Sequence, residues 1–156
     1  MNAQFINPFV EGVDGVFQTM LNVKPTRCKV RVGGGNGDAA AQDCLTSLVG
    51  ISGQVQGVVV LRFPPATALA MATRMLGTEL TVVNEEVIDA ISEIVNMVAG
   101  SAKAKLNYDP PLDLGLPTVV QGNNYKVRYP TGSTWLEVPF ESEAGSFSLG
   151  VTFESK

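Results

Sequence analysis

The sequence predicts an α+β fold: an antiparallel β-sheet with long helices packed on one face. Apolar residues recur at spacings of three and four in three segments and alternate with polar ones elsewhere, marking helices and strands respectively. The segments run helix, strands, helix, helix, strands, without the βαβ alternation that builds a parallel sheet. Two strand pairs meet across glycine-containing turns, at Gly53–Gly57 and at Ala144-Gly145. A chain of 156 residues, 45% apolar and 17% charged, fits one domain over 1–156 with a proper core.

The elements follow in order. FINPFVEGVDGVFQTMLNV sets Phe5, Phe9, Val13, Val16, Phe17, Met20 and Leu21 on one helical face, with Asn7 as the cap, Pro8 at the first helical position and Pro25 ending the helix. CKVRV reads as a short strand. GGGNGDAAAQ (33–42) lacks the Lys-Ser/Thr that closes a phosphate-binding loop, so it reads as a loop between strands. SLVGISGQVQGVVVLRFP predicts a hairpin. PATALAMATRMLG predicts a helix, with Pro65 in its first turn and Gly77 past its end. Asn84 caps the next and longest helix, Glu85 and Glu86 favour its N-terminal dipole, and Asn107 with Asp109-Pro110-Pro111 stops it. LGLPTVVQG, YKVRYP, TWLEVPFESE and GSFSLGVTFE read as strands, the last two as a second hairpin. LNVKP (21–25) after the first helix and LNYDP (106–110) after the third indicate a pseudo-two-fold internal repeat.

Composition excludes several classes of function. Net charge is −4, with no basic run to follow a phosphate backbone, so no nucleic acid is expected. No apolar stretch reaches the roughly 20 residues that span a bilayer. The start, MNAQFINPFVEGVDG, has no basic segment ahead of an apolar one, so a cytoplasmic protein is expected. There is no histidine, and Cys28 and Cys44 are the only cysteines. Two thiols cannot build a four-ligand zinc site; both are expected to be buried free thiols, and no metal or cofactor of the chain's own is expected. Without histidine, chemistry must rest on carboxylates, amides, lysines or a partner's groups.

The segment DAISEIVNMVAGSAKAKL (89–106) carries the functional signal. At 100° per residue, with Asp89 as zero, Glu93 lies at about 40°, Asn96 at about −20° and Gly100 at about 20°. Lys103 continues the line, while Val87, Ile91, Ile94, Val95, Val98 and Ala102 hold the opposite arc. A single acid on such a face serves solubility. Asn96 is different, because asparagine costs several tenths of a kcal/mol against alanine within a helix, and Gly100 costs about 1 kcal/mol more. Two poor helix formers in line with carboxylates point to docking, with the glycine letting a partner's backbone come close. An amide is no general base near neutral pH, but it orients water by donating and accepting hydrogen bonds. Glu93 can pair with a partner's lysine. Catalysis would then act on a reactive group that another protein supplies.

Glu93-Ile-Val-Asn96 with Asp89 four residues ahead resembles the motif of the CheC/CheX/FliY phosphatases of bacterial chemotaxis. The surroundings are most similar to the CheX branch: NPFVEGVDGVF, the Gly53–Gly57 hairpin and its helix ending RMLG, NMVAGSAKAKL, and LPTVVQG. The resemblance covers most of the chain. It implies an α+β fold with two pseudo-symmetric halves, and dephosphorylation of the phospho-aspartate of a CheY-type response regulator. It implies that Glu93 pairs with the regulator's active-site lysine and that Asn96 positions the attacking water. Asp89, Gly100 and Lys103 are then partner-binding residues, and Mg²⁺ belongs to the regulator's site. CheC and FliY carry a proline shortly after their asparagine, where this chain has Ser101, which favours the CheX branch. The first helix offers Glu11 and Asp14 without an asparagine, so one active site per chain is expected. A homodimer is expected by analogy and from exposed strands in the second half. The competing reading is a non-catalytic domain of the same fold that binds regulators or flagellar switch proteins; Asn96 argues against it, because binding alone does not require an amide there.

Overall fold

The computed structural model describes residues 6–29, 31–33, 44–121 and 134–155. In chain order the elements are α1 (Ile6–Leu21), β1 (Thr26–Arg27), β2 (Arg31–Gly33), β3 (Leu45–Ser52), β4 (Val55–Phe63), α2 (Pro65–Leu76), α3 (Glu85–Leu106), β5 (Asp113–Leu114), β6 (Thr118–Gln121), β7 (Thr134–Glu141) and β8 (Phe147–Ser155). Among the described residues the eight strands form one sheet in the order β1-β7-β8-β4-β3-β5, with β2 also on β7 and β6 also on β3. Every pairing is antiparallel.

Alternation along the strands sends one set of side chains to the helices. Leu45, Val49 and Ile51 of β3, Val55, Val59, Leu61 and Phe63 of β4, and Phe147, Leu149, Val151 and Phe153 of β8 join one core with residues of all three helices. Phe147 is its aromatic centre: its ring lies 4.7 Å from Phe17, 5.0 Å from Phe140 and 5.5 Å from Phe63, all stacked. These offset contacts add to the area the rings bury. The helices thus lie together on one face of an antiparallel sheet, as expected.

The sheet order is palindromic. The β3–β4 and β7–β8 hairpins lie side by side, with β4 against β8. The strands that follow α1 pair with β7, and those that follow α3 pair with β3, so each half closes the sheet beside the other half's hairpin. Asn22 and Asn107, the asparagines of LNVKP and LNYDP, are the non-glycine residues with positive φ, at 53° and 55°. Asparagine tolerates this left-handed turn after a helix better than most residues. Both features are consistent with the internal repeat.

Several local expectations change. The helix α1 starts at Ile6, so Asn7 and Pro8 lie inside its first turn, and the left-handed Asn22 ends it before Pro25 is reached. Met20 is 48% exposed rather than on the buried face. CKVRV does not form one strand. Thr26 and Arg27 pair with Glu141 and Phe140, but Arg31 pairs with Glu137, a slip of one residue in register. Between them β7 carries Pro139, which has no N–H to give to the ladder and only accepts from Cys28 N–H, at 2.8 Å. Gly57 lies inside β4 and pairs with Ile51 and Phe153, so the turn is narrower, at Gly53-Gln54. A side chain at Gly57 would collide with the Thr152 carbonyl oxygen. Cys44 is buried and Cys28 half-buried, and neither forms a disulfide. The expectations for Phe5, for most of GGGNGDAAAQ and for YKVRYP lie outside the described residues.

Candidate functional site on the exposed face of α3

The third helix is capped at both ends by its own sequence. Val87 N–H donates to Asn84 Oδ1 at 3.1 Å, and Glu85 and Glu86 occupy the first turn. At the other end Asn107 is left-handed, its N–H donates to the Lys103 carbonyl, and Lys103 and Lys105 sit in the last turn. Acids first and bases last both oppose the helix dipole. Caps and charges together fix a helix of 22 residues, about 33 Å long.

Val87, Ile91, Ile94, Val95, Val98 and Ala102 are all fully buried, as the periodicity requires. On the other side Asp89, Glu93 and Asn96 are exposed, while Gly100 and Lys103 are half-buried. All five predicted site residues thus come together as one line along one helix. Among the described residues none of Asp89, Glu93, Asn96 and Lys103 forms an ion pair or side-chain hydrogen bond. A methyl group at Gly100 would meet nothing within 4 Å, so among the described residues its glycine has no packing cause.

The glycine at position 12 contrasts with this. A Cβ there would stand 3.0 Å from the Val98 carbonyl oxygen and 3.6 Å from Ser101 Cβ, so Gly12 lets α1 lie directly on α3 behind the site. Lys105 Nζ reaches from α3 to Glu11 Oε2 at 3.6 Å. Both groups are largely exposed, so the pair adds little stability, but it engages the α1 counterpart of Glu93. The contact joins residues 94 positions apart, and no local pattern announced it.

The site is a convex helix surface rather than a pocket. A cavity of about 380 Å³ lies on the opposite face of the sheet, lined by Gly50, Ser52, Gln56, Gly57 and Thr152 among others, and contains no site residue. No cluster of three or more His, Cys, Asp or Glu side chains able to hold a metal occurs among the described residues, and no helix is long and apolar enough to cross a membrane. A protruding carboxylate and amide, about 4.5 Å apart along the axis, can enter a partner's cleft and offer an anion and an amide there.

A sheet of two interlocked hairpins, backed by helices that present this face, defines the CheC-like superfamily. A CheC-like superfamily protein from Shewanella sp. PV-4 superposes with a TM-score of 0.88 at 30% identity, over 99% of this chain and 100% of that one. The CheX protein of the CheX–CheY–BeF₃–Mg²⁺ complex from Borrelia burgdorferi has the same fold, with a TM-score of 0.78 at 23% identity, over 97% of this chain and 98% of that one. Residues 45–141 match the family model of the chemotaxis phosphatase CheX. The chain belongs to that family. The CheY-P phosphatase CheX of Thermotoga maritima is 28% identical over 130 residues, 82% of each chain.

If Asn96 and Gly100 serve a partner and not the fold, replacing them should not harm the isolated protein. Asn96→Ala and Gly100→Ala should each hold or raise stability, the latter by up to about 1 kcal/mol. Urea unfolding of both variants checks this, and destabilisation by either would show that the residue packs within the chain.

Proposed function

We propose that the chain hydrolyses the phospho-aspartate of a CheY-type response regulator, with Glu93 docking and Asn96 positioning water. The observation that carries this reading is the pair itself. Among the described residues Glu93 and Asn96 are exposed and without partners on the outward face of α3, in a chain of a phosphatase family. Glu93 pairs with the regulator's active-site lysine. The Asn96 amide oxygen accepts from a water molecule and its NH₂ donates to a phosphoryl oxygen. The water attacks phosphorus in line, the bond to the aspartyl oxygen breaks, and the carboxylate leaves; both of the water's protons depart with the phosphate, as H₂PO₄⁻. Charge on the phosphoryl group is balanced by Mg²⁺ held in the regulator. Phosphoryl transfer of this kind needs little covalent help and much positioning, so an orienting amide has a large effect.

The two residues should fail differently. Asn96→Ala should lower turnover about a hundredfold or more while keeping most of the affinity for a phosphorylated regulator, because it removes a transition-state contact. Glu93→Lys should instead weaken the complex about tenfold or more, since it sets like charge against the regulator's lysine. Phosphate release above the regulator's spontaneous rate separates the effects, and wild-type turnover by Asn96→Ala would leave a binding module without catalysis.

The first helix is read as catalytically silent. Asp14 cannot donate hydrogen bonds and would repel a phosphoryl oxygen, and Glu11 is held by Lys105. Glu11→Ala combined with Asp14→Ala should keep turnover within about twofold of wild type, since the lost surface ion pair matters little. Loss of activity with an unchanged fold would place a second site on α1.

The protein is further read as a cytoplasmic homodimer. Among the described residues β6 pairs with β3 alone, which leaves the outer edge of a strand from the second half for another chain. The helix face carrying Glu93 and Asn96 points away from the sheet and stays free in such a dimer. Light scattering at micromolar concentration should give twice the chain mass, and the monomer mass alone would remove this part of the reading.

A further inference from the structure

Met20 is 48% exposed, Leu76 46% and Val82 63%, and hydrogen bonds bring their segments to one end of the helical layer. Arg74 Nη1 donates to the Asn22 carbonyl oxygen at 3.2 Å, which joins the C-terminal ends of α2 and α1. Leu80 N–H donates to Thr73 Oγ1 at 3.0 Å, which folds the segment leading to α3 back onto the end of α2. From Leu80 the chain needs only four residues, at most about 14 Å, to reach the Asn84 cap. The ends of α1 and α2 therefore meet the start of α3, and Val82 stands two residues before that cap.

The same end of α3 carries Glu85, Glu86 and Asp89, all exposed and, among the described residues, without ion pairs. Glu85 with Asp89, and Asp89 with Glu93, are like-charge pairs four residues apart, each costing a few tenths of a kcal/mol. The helix dipole offsets this only in the first turn. A single exposed apolar side chain needs no explanation. Among the described residues, three of the four exposed large apolar side chains lie on the segments tied together at the acidic end of the site's own helix, while the fourth, Leu116, lies in the β5–β6 connection. An apolar centre containing methionine with a charged rim is the composition of a protein interface. The acids turn away nucleic acid and anionic lipid, and attract a protein surface bearing cations.

We infer that this end of the helical layer is the anchoring half of the surface that receives the regulator. Met20, Leu76 and Val82 give the apolar contact, and Glu85, Glu86 and Asp89 require cations on the regulator's facing surface. The regulator then overlies the N-terminal half of α3, continuous with Glu93 and Asn96, and Lys103 lies at the rim. The inference rests on the phosphatase reading and adds the direction in which the partner sits.

The test uses the full chain and the regulator on which the wild type shows turnover, held in its beryllofluoride–Mg²⁺ form for binding. The triple variant Met20→Gln, Leu76→Gln, Val82→Gln removes the apolar groups, adds no charge and keeps good helix formers on α1 and α2. It should lose about tenfold or more in affinity, as expected for truncated interface anchors. Its turnover at saturating phosphorylated regulator should match the wild type, the reverse of Asn96→Ala. Leu116→Gln, a change of the same kind at the distant leucine, should bind as the wild type does. Affinity should also fall as salt rises, and less steeply once Glu85 and Glu86 are both changed to Gln. Triple-variant affinity within twofold of wild type, with catalysis intact, overturns the docking direction and leaves the phosphatase reading standing. A wild type that neither binds nor dephosphorylates any phosphorylated CheY-type regulator overturns both.

Discussion

Burial of the apolar arc of α3 against the sheet is the constraint from which the other features follow. Ile91, Ile94, Val95 and Val98 are all wholly excluded from solvent, and α3 packs on β3 and β4 on one side and on both other helices around it. A helix held along so much of its length cannot rotate about its axis without exposing several of these side chains, each worth about 1.5–3 kcal/mol in water. Its opposite face is therefore set to within a small angle. The exposed line of Asp89, Glu93 and Asn96 is rigid because the residues behind it are buried, not through contacts of its own.

The arrangement suits chemistry that takes place in another protein. A pocket enzyme surrounds its substrate, whereas this surface projects two side chains from a stiff rod. On the proposed mechanism stiffness matters, because docking would have to bring the Asn96 amide to within hydrogen-bond distance of a phosphoryl oxygen and a water at once. Gly12 contributes from behind by letting α1 lie on the Val98 carbonyl, so that α1 and the sheet support α3 from two directions. Gly100 has no such neighbour. Two helix glycines thus differ in their surroundings: Gly12 is needed for the chain's own packing, and Gly100 stands in open space.

The two halves of the fold are built alike but carry different residues on their long helices. Each contributes a long helix, a strand or two at the edge and a hairpin, and the sheet alternates their contributions so that neither half closes alone. At the same spacing along the helix, α3 has Glu93 and Asn96, while α1 has Glu11, which pairs with Lys105, and the carboxylate of Asp14 in place of the amide.

Much of this was legible in the amino-acid sequence, because its causes are local. The span of α3, its Asn84 and Asn107 ends, its buried arc and the line from Asp89 to Lys103 all follow from helical periodicity and capping. Both hairpins followed from alternation and turn glycines. Other features belong to the tertiary structure, because they depend on residues distant in the chain. The slip of register between β1 and β2 lies where β7 carries Pro139, more than a hundred residues away in the chain. The roles of Gly12 and Gly100 cannot be separated by a propensity scale, since both cost a helix the same; only the neighbouring atoms distinguish them. The engagement of Glu11 by Lys105, and the meeting of Met20, Leu76 and Val82 at the acidic end of α3, likewise arise from how three helices stack. Periodicity states which side of a helix turns inward, and packing alone decides what stands beside the side that does not.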